Sequence, residues 1–400
     1  MKKKISMSKI ITFSFFLVYF FSYIGSKSNL KLPVLILFQI YLLFCIKKEE
    51  MGKINWKYSI VFFSIFVFLL ASLLLNFNIS GLIKTFSLID LLLFTHYIYP
   101  KAMREEDDYR LINIVSTILF IVLAFSFIFY YNDVDITSGR ISLANNIRHL
   151  FGFGEPSIVG FLCFLEFALS FYLVNDSYKN NKKIFIFNLI KIFLSLYMVY
   201  LADIRASLIS IILLVLFYCF EKLPKTKLFF TLKIMLIVIT AIGSLFYIYN
   251  QNFDVKGINY ILSGRITLIS RGINTLIENN TIWFGEGSYR NSDVELLGKI
   301  QIDNSYIDIC YQYGIITMLL FAILTILIIL DIFKINKRKK ICNNYDIFIK
   351  SYFICVIIYS MFEKNLFSLT SGLSLVTFCI IFAYIRKNER KQDKVREISE

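Results

Sequence analysis

The chain has 400 residues, 57% of them hydrophobic, with 42 Phe, 25 Tyr and only four Pro. Long apolar runs recur along it, which excludes a soluble two-domain α/β enzyme and indicates a polytopic membrane protein. The net charge of +15 is accounted for by positive loops on the cytoplasmic side of a membrane, so nucleic acid is not expected as a partner.

The first element is a basic segment, residues 1–9, followed by an apolar run at 10–24. This order is also typical of a secretory signal peptide, but no small-x-small cleavage site follows the run. We therefore expect the run to be retained as the first transmembrane helix.

Eleven further apolar runs follow, several of them shorter than the roughly 20 residues with which an upright helix crosses a bilayer. The sequence thus predicts an all-α polytopic fold, a single integral membrane domain over residues 1–400 with about twelve transmembrane helices. The predicted helices are 10–24, 32–46, 58–75, 80–98, 111–130, 157–174, 184–202, 206–220, 228–249, 306–330, 347–361 and 372–385.

The positive residues follow the pattern of a twelve-helix topology with both termini in the cytoplasm. The cytoplasmic segments of this topology hold 28 of the 43 Lys and Arg residues, and the outer segments hold 11. Every inner segment carries at least three, as the positive-inside rule requires. The topology places a first motif loop at 131–156 and a long loop at 250–305 outside, and a basic tail at 386–400 inside.

Arginine is concentrated on the predicted outer face. Six of the 11 outer positive residues are Arg, whereas only six of the 28 inner ones are. Retention in the cytoplasm needs only charge, but planar bidentate recognition of phosphate favours guanidinium. The enrichment indicates an anionic ligand outside, such as a lipid phosphate. Pairing with local carboxylates or lipid headgroups is the alternative.

The first outer loop carries two glycines, a carboxylate and a proline immediately before a predicted helix. Pro156 suits a first helical turn, and Ser157 with neighbouring amides would offer donors to an anion at the positive helix end. Arg148 is a candidate anion ligand. His149, with Arg148 and Glu155 close in the sequence, is a candidate base. An ordinary interfacial turn with a capping residue is the alternative.

A very short outer connection then carries Asp203 and Arg205. The next predicted helix, 206–220, is about 22 Å long at 1.5 Å per residue, less than the roughly 30 Å of hydrocarbon. Arg205 would then lie below the outer headgroup plane, where a charge marks a functional site. A pair with Asp203 that only tightens the turn is the alternative.

The long outer loop supplies further candidates for anion and sugar binding. Arg265 and Arg271 are candidate anion ligands. The segment 283–287, with Gly285 and Gly287, could form a close-approach turn for a sugar, on which Trp283 would stack.

The end of the long loop is a second candidate for the reacting centre. Asp303, Asn304, Ser305 and Tyr306 stand where the chain re-enters the membrane. A carboxylate and an amide at the surface of a rigid helix suit a general base and a sugar-hydroxyl acceptor. They equally suit a helix cap, because Asp, Asn and Ser are all strong N-caps.

Three charges lie deep within predicted helices, at Asp90, Glu166 and Lys191. We hypothesise that Glu166 and Lys191, on consecutive antiparallel helices, form a buried pair. Three lysines near helix ends are expected to extend their ammonium groups toward the membrane surface: Lys84, Lys233 and Lys350.

The cysteines and histidines predict neither disulfides nor a metal centre. The seven Cys include no C-x-x-C pair, and six lie in or beside apolar runs, so a disulfide framework is not expected. The two histidines, His96 and His149, are far apart in the sequence. We therefore expect no zinc site and no cofactor.

The order of these motifs resembles that of the Wzy-type oligosaccharide repeat-unit polymerases, in the wider O-antigen polymerase/ligase superfamily. Ligase relatives commonly carry His where this chain has Asp303, and a His often occupies the position of Glu155 in the upstream turn. The matching segments are Gly152–Pro156, Arg205–Ser207, Ser263–Arg265, Phe284–Gly287, Asp303–Tyr306 and Tyr313–Ile315.

The resemblance implies a metal-independent, inverting glycosyltransferase on the outer face of the cytoplasmic membrane, which polymerises capsule, O-antigen or exopolysaccharide. A growing glycan on undecaprenyl pyrophosphate would be the donor, and a lipid-linked repeat unit would be the acceptor. The base would be Asp303, Glu155 or His149. Sugar would be bound by Asn304, Tyr306, Trp283, Gly285 and Gly287, and pyrophosphate by Arg148, Arg205, Arg265 and Arg271.

The expected partners are undecaprenyl-pyrophosphate-linked oligosaccharides and membrane lipids, with a chain-length regulator and a flippase as further partners. Two alternatives remain open. A flippase or transporter for lipid-linked sugar would suit twelve helices, but would place its charges along a central path. An O-antigen-type ligase would share the chemistry and differ only in its acceptor.

Overall fold

The computed structural model of the chain describes residues 7–26, 31–46, 55–77, 79–102, 107–136, 147–177, 181–222, 265–287, 302–338, 343–364, 366–367 and 371–399. Most of these residues are helical. The helices are α1 Met7–Phe21, α2 Lys31–Cys45, α3 Trp56–Leu75, α4 Ile79–Leu93, α5 Asp107–Phe129, α6 Pro156–Ser177, α7 Lys182–Leu201, α8 Arg205–Lys222, α9 Arg265–Glu278, α10 Ser305–Arg338, α11 Asn344–Ser360 and α12 Gly372–Ser399.

Eleven of the twelve predicted segments coincide with helices, and the twelfth, 228–249, lies outside the described residues. Helix α4 continues through a π-helical turn at Phe94–Ile98 and a last turn at Tyr99–Ala102. Helix α12 runs on through the predicted tail as far as Ser399. One departure from an all-α fold is a small antiparallel sheet, β1 Val134–Ile136 with β2 Ile147–His149.

Six helices in the described part of the chain are long and apolar enough to cross a membrane, which makes the chain a mostly helical membrane protein. They are Trp56–Leu75, Gly81–Ala102, Tyr109–Phe129, Pro156–Ser177, Lys182–Leu201 and Ser305–Lys337. Their outward faces carry large apolar side chains, such as Phe63, Leu74 and Phe193, which are more than half exposed. Apolar exposure on this scale suits contact with lipid. The number of spans and their orientation stay predictions.

Helix α6 lies at the centre of the bundle. Its sequence is apolar on all sides, and most of its residues are buried, as expected for a helix that is hydrophobic all round. It packs against α5, α7, α8, α11 and α12. Gly160 permits the approach of α8, because a Cβ there would lie 2.6 Å from Ser207 Oγ and 2.8 Å from Ile204 Cγ2. The first turn of α6 therefore has a fixed position relative to its neighbours.

Helix α10 is broken at Gly314, where the backbone has φ +86° and ψ 168°. The sequence predicts an unbroken helix at 306–330, and this expectation is wrong at that residue. The break frees backbone groups that residues 281–287, in the predicted outer loop, satisfy. Glu286 N–H donates to Tyr311 O at 2.8 Å, and Gly287 N–H donates to Gln312 O at 2.9 Å.

Two glycines make the contact between this segment and the broken helix possible. A Cβ on Gly314 would lie 2.0 Å from the carbonyl oxygen of Trp283, and a Cβ on Gly285 would lie 2.5 Å from the carbonyl oxygen of Gln312. The backbones therefore touch directly. Irregular backbone within a membrane is tolerated only where protein partners or water satisfy its polar groups.

The segment 250–305, which the sequence predicts to be a long outer loop, contains the amphipathic helix α9. Its apolar side packs Leu268 and Leu276 against Ile302 and Tyr311. Its other side is exposed to solvent. This helix attaches the loop to the first part of α10.

Candidate functional site

A cavity of about 350 Å³ lies among the helix ends that the positive-inside rule places outside. Its walls come from α2, α4, the first turn of α6, the part of α10 before the break, and the connection between α11 and α12. Its charged lining residues are Lys31, Lys84, Lys364, Glu155 and Asp308. The volume lies within the usual range for small-molecule sites, about 300–1,000 Å³.

Lys31 is the first residue of α2 and lies before the apolar part of that helix, which begins at Pro33. Its side chain is buried, and its ammonium group lies 3.2 Å from the centre of the Tyr23 ring. Such a position over an aromatic face stabilises a cation. Burial nevertheless lowers the pKa of Lys31 to about 7, because a low dielectric disfavours the charged form.

Lys84, on α4, takes part in a polar chain along one wall of the cavity. Its Nζ lies 3.4 Å from Gln312 Oε1, and Gln312 Nε2 donates to Asp308 Oδ2 at 2.8 Å. Asp308 and Gln312 are four residues apart on α10, so they share one face of the helix. Asp308 attracts Lys84 electrostatically, whereas Lys364 repels it.

Glu155 lies in the turn that precedes α6 and lines the cavity with an exposed side chain. Ser157 Oγ donates to Glu155 Oε2 at 3.2 Å. Pro156 is the first residue of α6, as the sequence predicts. The carboxylate is thus accessible and is oriented by a neighbouring hydroxyl.

The three candidate bases lie in different places. Glu155 lines the cavity, whereas Asp303 and His149, both of which the structure describes, do not. His149 is the last residue of β2; its Nδ1 lies 2.7 Å from the carbonyl oxygen of Tyr131, and its ring stacks on Phe151. Asp303 precedes the first turn of α10. Of the three candidate bases, Glu155 is the one that lines this cavity.

Asn304 and Ser305 form a helix cap and an attachment point. Asn304 Oδ1 accepts from the N–H groups of Tyr306 and Ile307, each at 3.0 Å. Asn304 Nδ2 donates to Met361 O at 2.9 Å, and Ser305 Oγ donates to Glu363 O at 2.7 Å.

The residues that Asn304 and Ser305 bind belong to the connection between α11 and α12, which carries Lys364. Tyr306 packs edge-on against Phe367 of the same connection, with ring centroids 5.4 Å apart. The motif therefore fixes Lys364 relative to α10, and it acts on the cavity through that connection.

The structure describes the side chains of three of the four candidate arginines. Arg148 Nη2 lies 3.7 Å from the buried carboxylate of Asp203, so Asp203 is paired with Arg148 where the sequence suggests Arg205. Arg205 is the half-buried first residue of α8, and Arg271 is exposed on α9. None of these three lines the cavity. Arg265 begins α9, and its side chain lies outside the described part of the chain.

The segment with Trp283, Gly285 and Gly287 makes the predicted close approach, and its partner is the backbone of α10 at the break. The Trp283 ring is 59% exposed, which leaves a flat face open to a ligand or to lipid. Asn76 Nδ2 donates to Gly285 O at 2.7 Å, so the end of α3 also holds this segment. These residues do not line the cavity.

Five residues of the cavity are not singled out for a site by the sequence motifs. Each is a polar residue near the predicted outer end of an apolar run, and this position is the signal in the sequence that could have indicated them. They are Lys31, Lys84, Lys364, Asp308 and Gln312.

The deep charges have polar partners inside the bundle. Lys191 Nζ donates to Ser116 Oγ at 3.0 Å, and Ser116 Oγ donates to Glu166 Oε1 at 3.0 Å. The predicted association of Glu166 and Lys191 therefore runs through a shared hydroxyl. Asp90 accepts from Gln39 Nε2 at 2.8 and 2.9 Å. Partners of this kind reduce the cost of a charge buried in a membrane protein.

No group of three or more His, Cys, Asp or Glu side chains in the described ranges is arranged to hold a metal ion. No protein-family model and no curated protein matches the chain. We therefore derive a function from the cavity, from the residues that surround it and from the order of the sequence motifs.

Proposed function

We propose that this chain is an inverting glycosyltransferase of the cytoplasmic membrane, with its active site facing outside. It joins undecaprenyl-pyrophosphate-linked oligosaccharide repeat units into a surface polysaccharide such as capsule, O-antigen or exopolysaccharide. The observation that carries the proposal is a cavity at the predicted outer helix ends that combines ammonium groups with an accessible carboxylate. The order of the sequence motifs supports the same reaction.

The chemistry requires a base for the acceptor and positive charge for the leaving group. Glu155 takes the proton from an acceptor hydroxyl as its oxygen attacks the anomeric carbon of the donor glycan. The bond from that carbon to the diphosphate oxygen breaks, and the diphosphate leaves with the bonding electrons. Cations that line the cavity offset the negative charge that develops on the leaving group.

The geometry favours Glu155 for this step. Its carboxylate is exposed to the cavity, and the hydrogen bond from Ser157 fixes one oxygen. The other oxygen can then accept a proton. Asp308 also lines the cavity, from α10, and Gln312 Nε2 donates to its carboxylate. Two carboxylates with different hydrogen-bond partners give the site one free base and one charge partner for Lys84.

The test is the length of surface glycan in cells that carry Glu155→Gln, with Glu278→Gln, an exposed site on α9, as the matched control. Loss of a general base slows a reaction by about 10²–10⁴-fold, so long chains should disappear while single lipid-linked units accumulate outside. The control should make chains of normal length. Normal chains in the Glu155→Gln cells would contradict the assignment.

A transporter for lipid-linked sugar is the second candidate, and the break in α10 favours it. Discontinuous membrane helices, with unwound backbone near a central site, are common in secondary transporters. The same cells distinguish the two functions. Repeat units held on the cytoplasmic face would indicate a transporter, and long chains that remain unattached to their final acceptor would indicate a ligase.

A further inference from the structure

Three lysines line the cavity and are placed to bind an anionic group of the substrate. We propose that Lys31, Lys84 and Lys364 form a binding site for a diphosphate or phosphate ester group. This assignment extends the proposed function by naming the residues that bind the phosphate groups. The identity of the lipid that carries those groups rests on the proposed function. The sequence motifs instead suggest four arginines as the ligands of the pyrophosphate group.

The three lysines come from separate parts of the chain. Lys31 begins α2, Lys84 lies in the second turn of α4, and Lys364 lies in the connection between α11 and α12. All three line the same cavity of about 350 Å³. Packing of the helices has therefore gathered three ammonium groups that the sequence keeps far apart.

Among the described residues that line the cavity, the lysines outnumber the carboxylates. Two acidic residues, Glu155 and Asp308, stand against the three lysines among the lining residues. Asp308 is also hydrogen-bonded by Gln312, and Glu155 by Ser157. Like charges repel one another more where the dielectric is low; burial disfavours the charge of Lys84 most, Asp308 supports that charge, and Lys364 opposes it to a smaller extent. A bound anion relieves this repulsion.

A buried hydroxyl supplies a second, independent observation. Ser371 lines the cavity with 4% of its surface exposed, and its Oγ has no hydrogen-bond partner among the described residues. Leaving a buried hydroxyl without a partner costs about 1–3 kcal/mol. A phosphate oxygen in the cavity would accept its proton.

The helix ends add to the attraction for an anion. Ser371 stands immediately before α12, a helix of 28 residues, and Ser157 lies in the first turn of α6, a helix of 22 residues. The N-terminus of a long helix carries a partial positive charge and offers N–H donors. The cavity therefore lies beside two such ends.

The experiment is equilibrium binding of inorganic pyrophosphate to the purified full chain in lipid nanodiscs. The variants are Lys31→Met, Lys84→Met and Lys364→Met, each of which keeps the length of the side chain and removes the charge. Lys84→Arg restores the charge, and Lys182→Met, an exposed lysine that begins α7, is the matched control. Thermal unfolding of each variant shows that it is folded.

Removing one charged hydrogen-bond donor should weaken binding by about ten- to a hundredfold. We expect this loss in each of the three methionine variants, near-normal binding in Lys84→Arg, and no change in Lys182→Met. Wild-type affinity in folded Lys→Met variants would overturn the proposal. So would an equal loss of affinity in Arg271→Gln, because that side chain lies outside the cavity.

A second arm of the experiment identifies the source of the phosphate. Undecaprenyl diphosphate added to the nanodiscs should prevent pyrophosphate binding if the site holds a lipid headgroup. Unchanged pyrophosphate binding would assign the lysines to free phosphate species. The failure of this proposal is distinct from that of the proposed function. If the lysine variants bind pyrophosphate normally and cells still form polymer, the lysine site is wrong and the proposed polymerase is unaffected. If the lysine variants lose pyrophosphate binding but the chain makes no polymer, the anion site is supported and the proposed polymerase is wrong.

Discussion

A lysine near the end of a membrane helix is ordinarily expected to extend toward water and headgroups, and the sequence predicts this for Lys84. In the structure its ammonium group lies beside Gln312 and faces the cavity. Sequence position fixes the depth of a residue along its helix. The direction in which the side chain points depends on which neighbouring helix packs against it. The sequence therefore shows the lysines and their depth along the helices, but it does not predict that they line one cavity.

Lys31 gives a prediction about pH. Its pKa is lowered from 10.5 to about 7 by burial, so the free protein loses this charge as the pH rises through 7. Because only the protonated form attracts an anion, the affinity for undecaprenyl diphosphate should fall as the pH rises from about 6 to 8. Lys31→Arg, whose side chain stays charged over this range, should show a smaller fall.

The measurement is binding of undecaprenyl diphosphate in nanodiscs across this pH range, for the wild type and Lys31→Arg in parallel. The comparison cancels any titration of the ligand itself. Among the described residues, the other charged or titratable groups that face the cavity are Lys84, Lys364, Glu155, Asp308 and Tyr23, and they are common to both proteins. Identical pH profiles would show that Lys31 does not hold the ligand.

At the scale of elements, the apolar runs predict the helices well and the outer segments less well. Eleven runs coincide with helices because a backbone in lipid must satisfy its own hydrogen bonds. The sequence prediction includes neither helix α9 nor the break at Gly314, and both omissions have the same cause. The backbone groups of the break are satisfied by residues 281–287, so neither element can be judged without the other.

The break in α10 gives a prediction about a single methyl group. Gly314→Ala would place a Cβ 2.0 Å from the carbonyl oxygen of Trp283, at a φ of +86°. Gly25→Ala is the matched control, because Gly25 also has a positive φ, +69°, but meets nothing within 4 Å. The control measures the strain of a left-handed backbone alone, about 1–2 kcal/mol, whereas Gly314→Ala adds the clash and a backbone conformation that is essentially restricted to glycine.

Thermal unfolding in detergent should show a larger loss of stability for Gly314→Ala than for Gly25→Ala. Limited proteolysis should also cut residues 279–287 faster in Gly314→Ala, since the segment loses its contact with the helix. Equal effects of the two substitutions would mean that residues 281–287 do not rest on the break.

At the scale of the whole molecule, the distribution of positive charge and the packing of the helix ends together define the candidate site. The Lys and Arg residues predict which helix ends face the cytoplasm, and packing gathers the cavity from ends that this rule places outside. Asn304 and Ser305 contribute to this packing. Their hydrogen bonds to Met361 O and Glu363 O fix the connection that carries Lys364. The sequence alone singles out this motif and predicts its place at the membrane surface, and it leaves open whether the motif takes part in the reaction or caps the helix.

The orientation of the molecule is the premise of an outer active site, and it yields the last prediction. Asn279, which follows α9, and Lys182, which begins α7, are both exposed and should lie on opposite sides of the membrane. Asn279→Cys should react with a membrane-impermeant maleimide in intact cells, whereas Lys182→Cys should react only after the membrane is opened. Each variant is compared with a parent in which the seven native cysteines are replaced. Labelling of Lys182→Cys in intact cells would turn the cavity toward the cytoplasm, where a polymerase of lipid-linked units exported to the outer face could not meet its substrate.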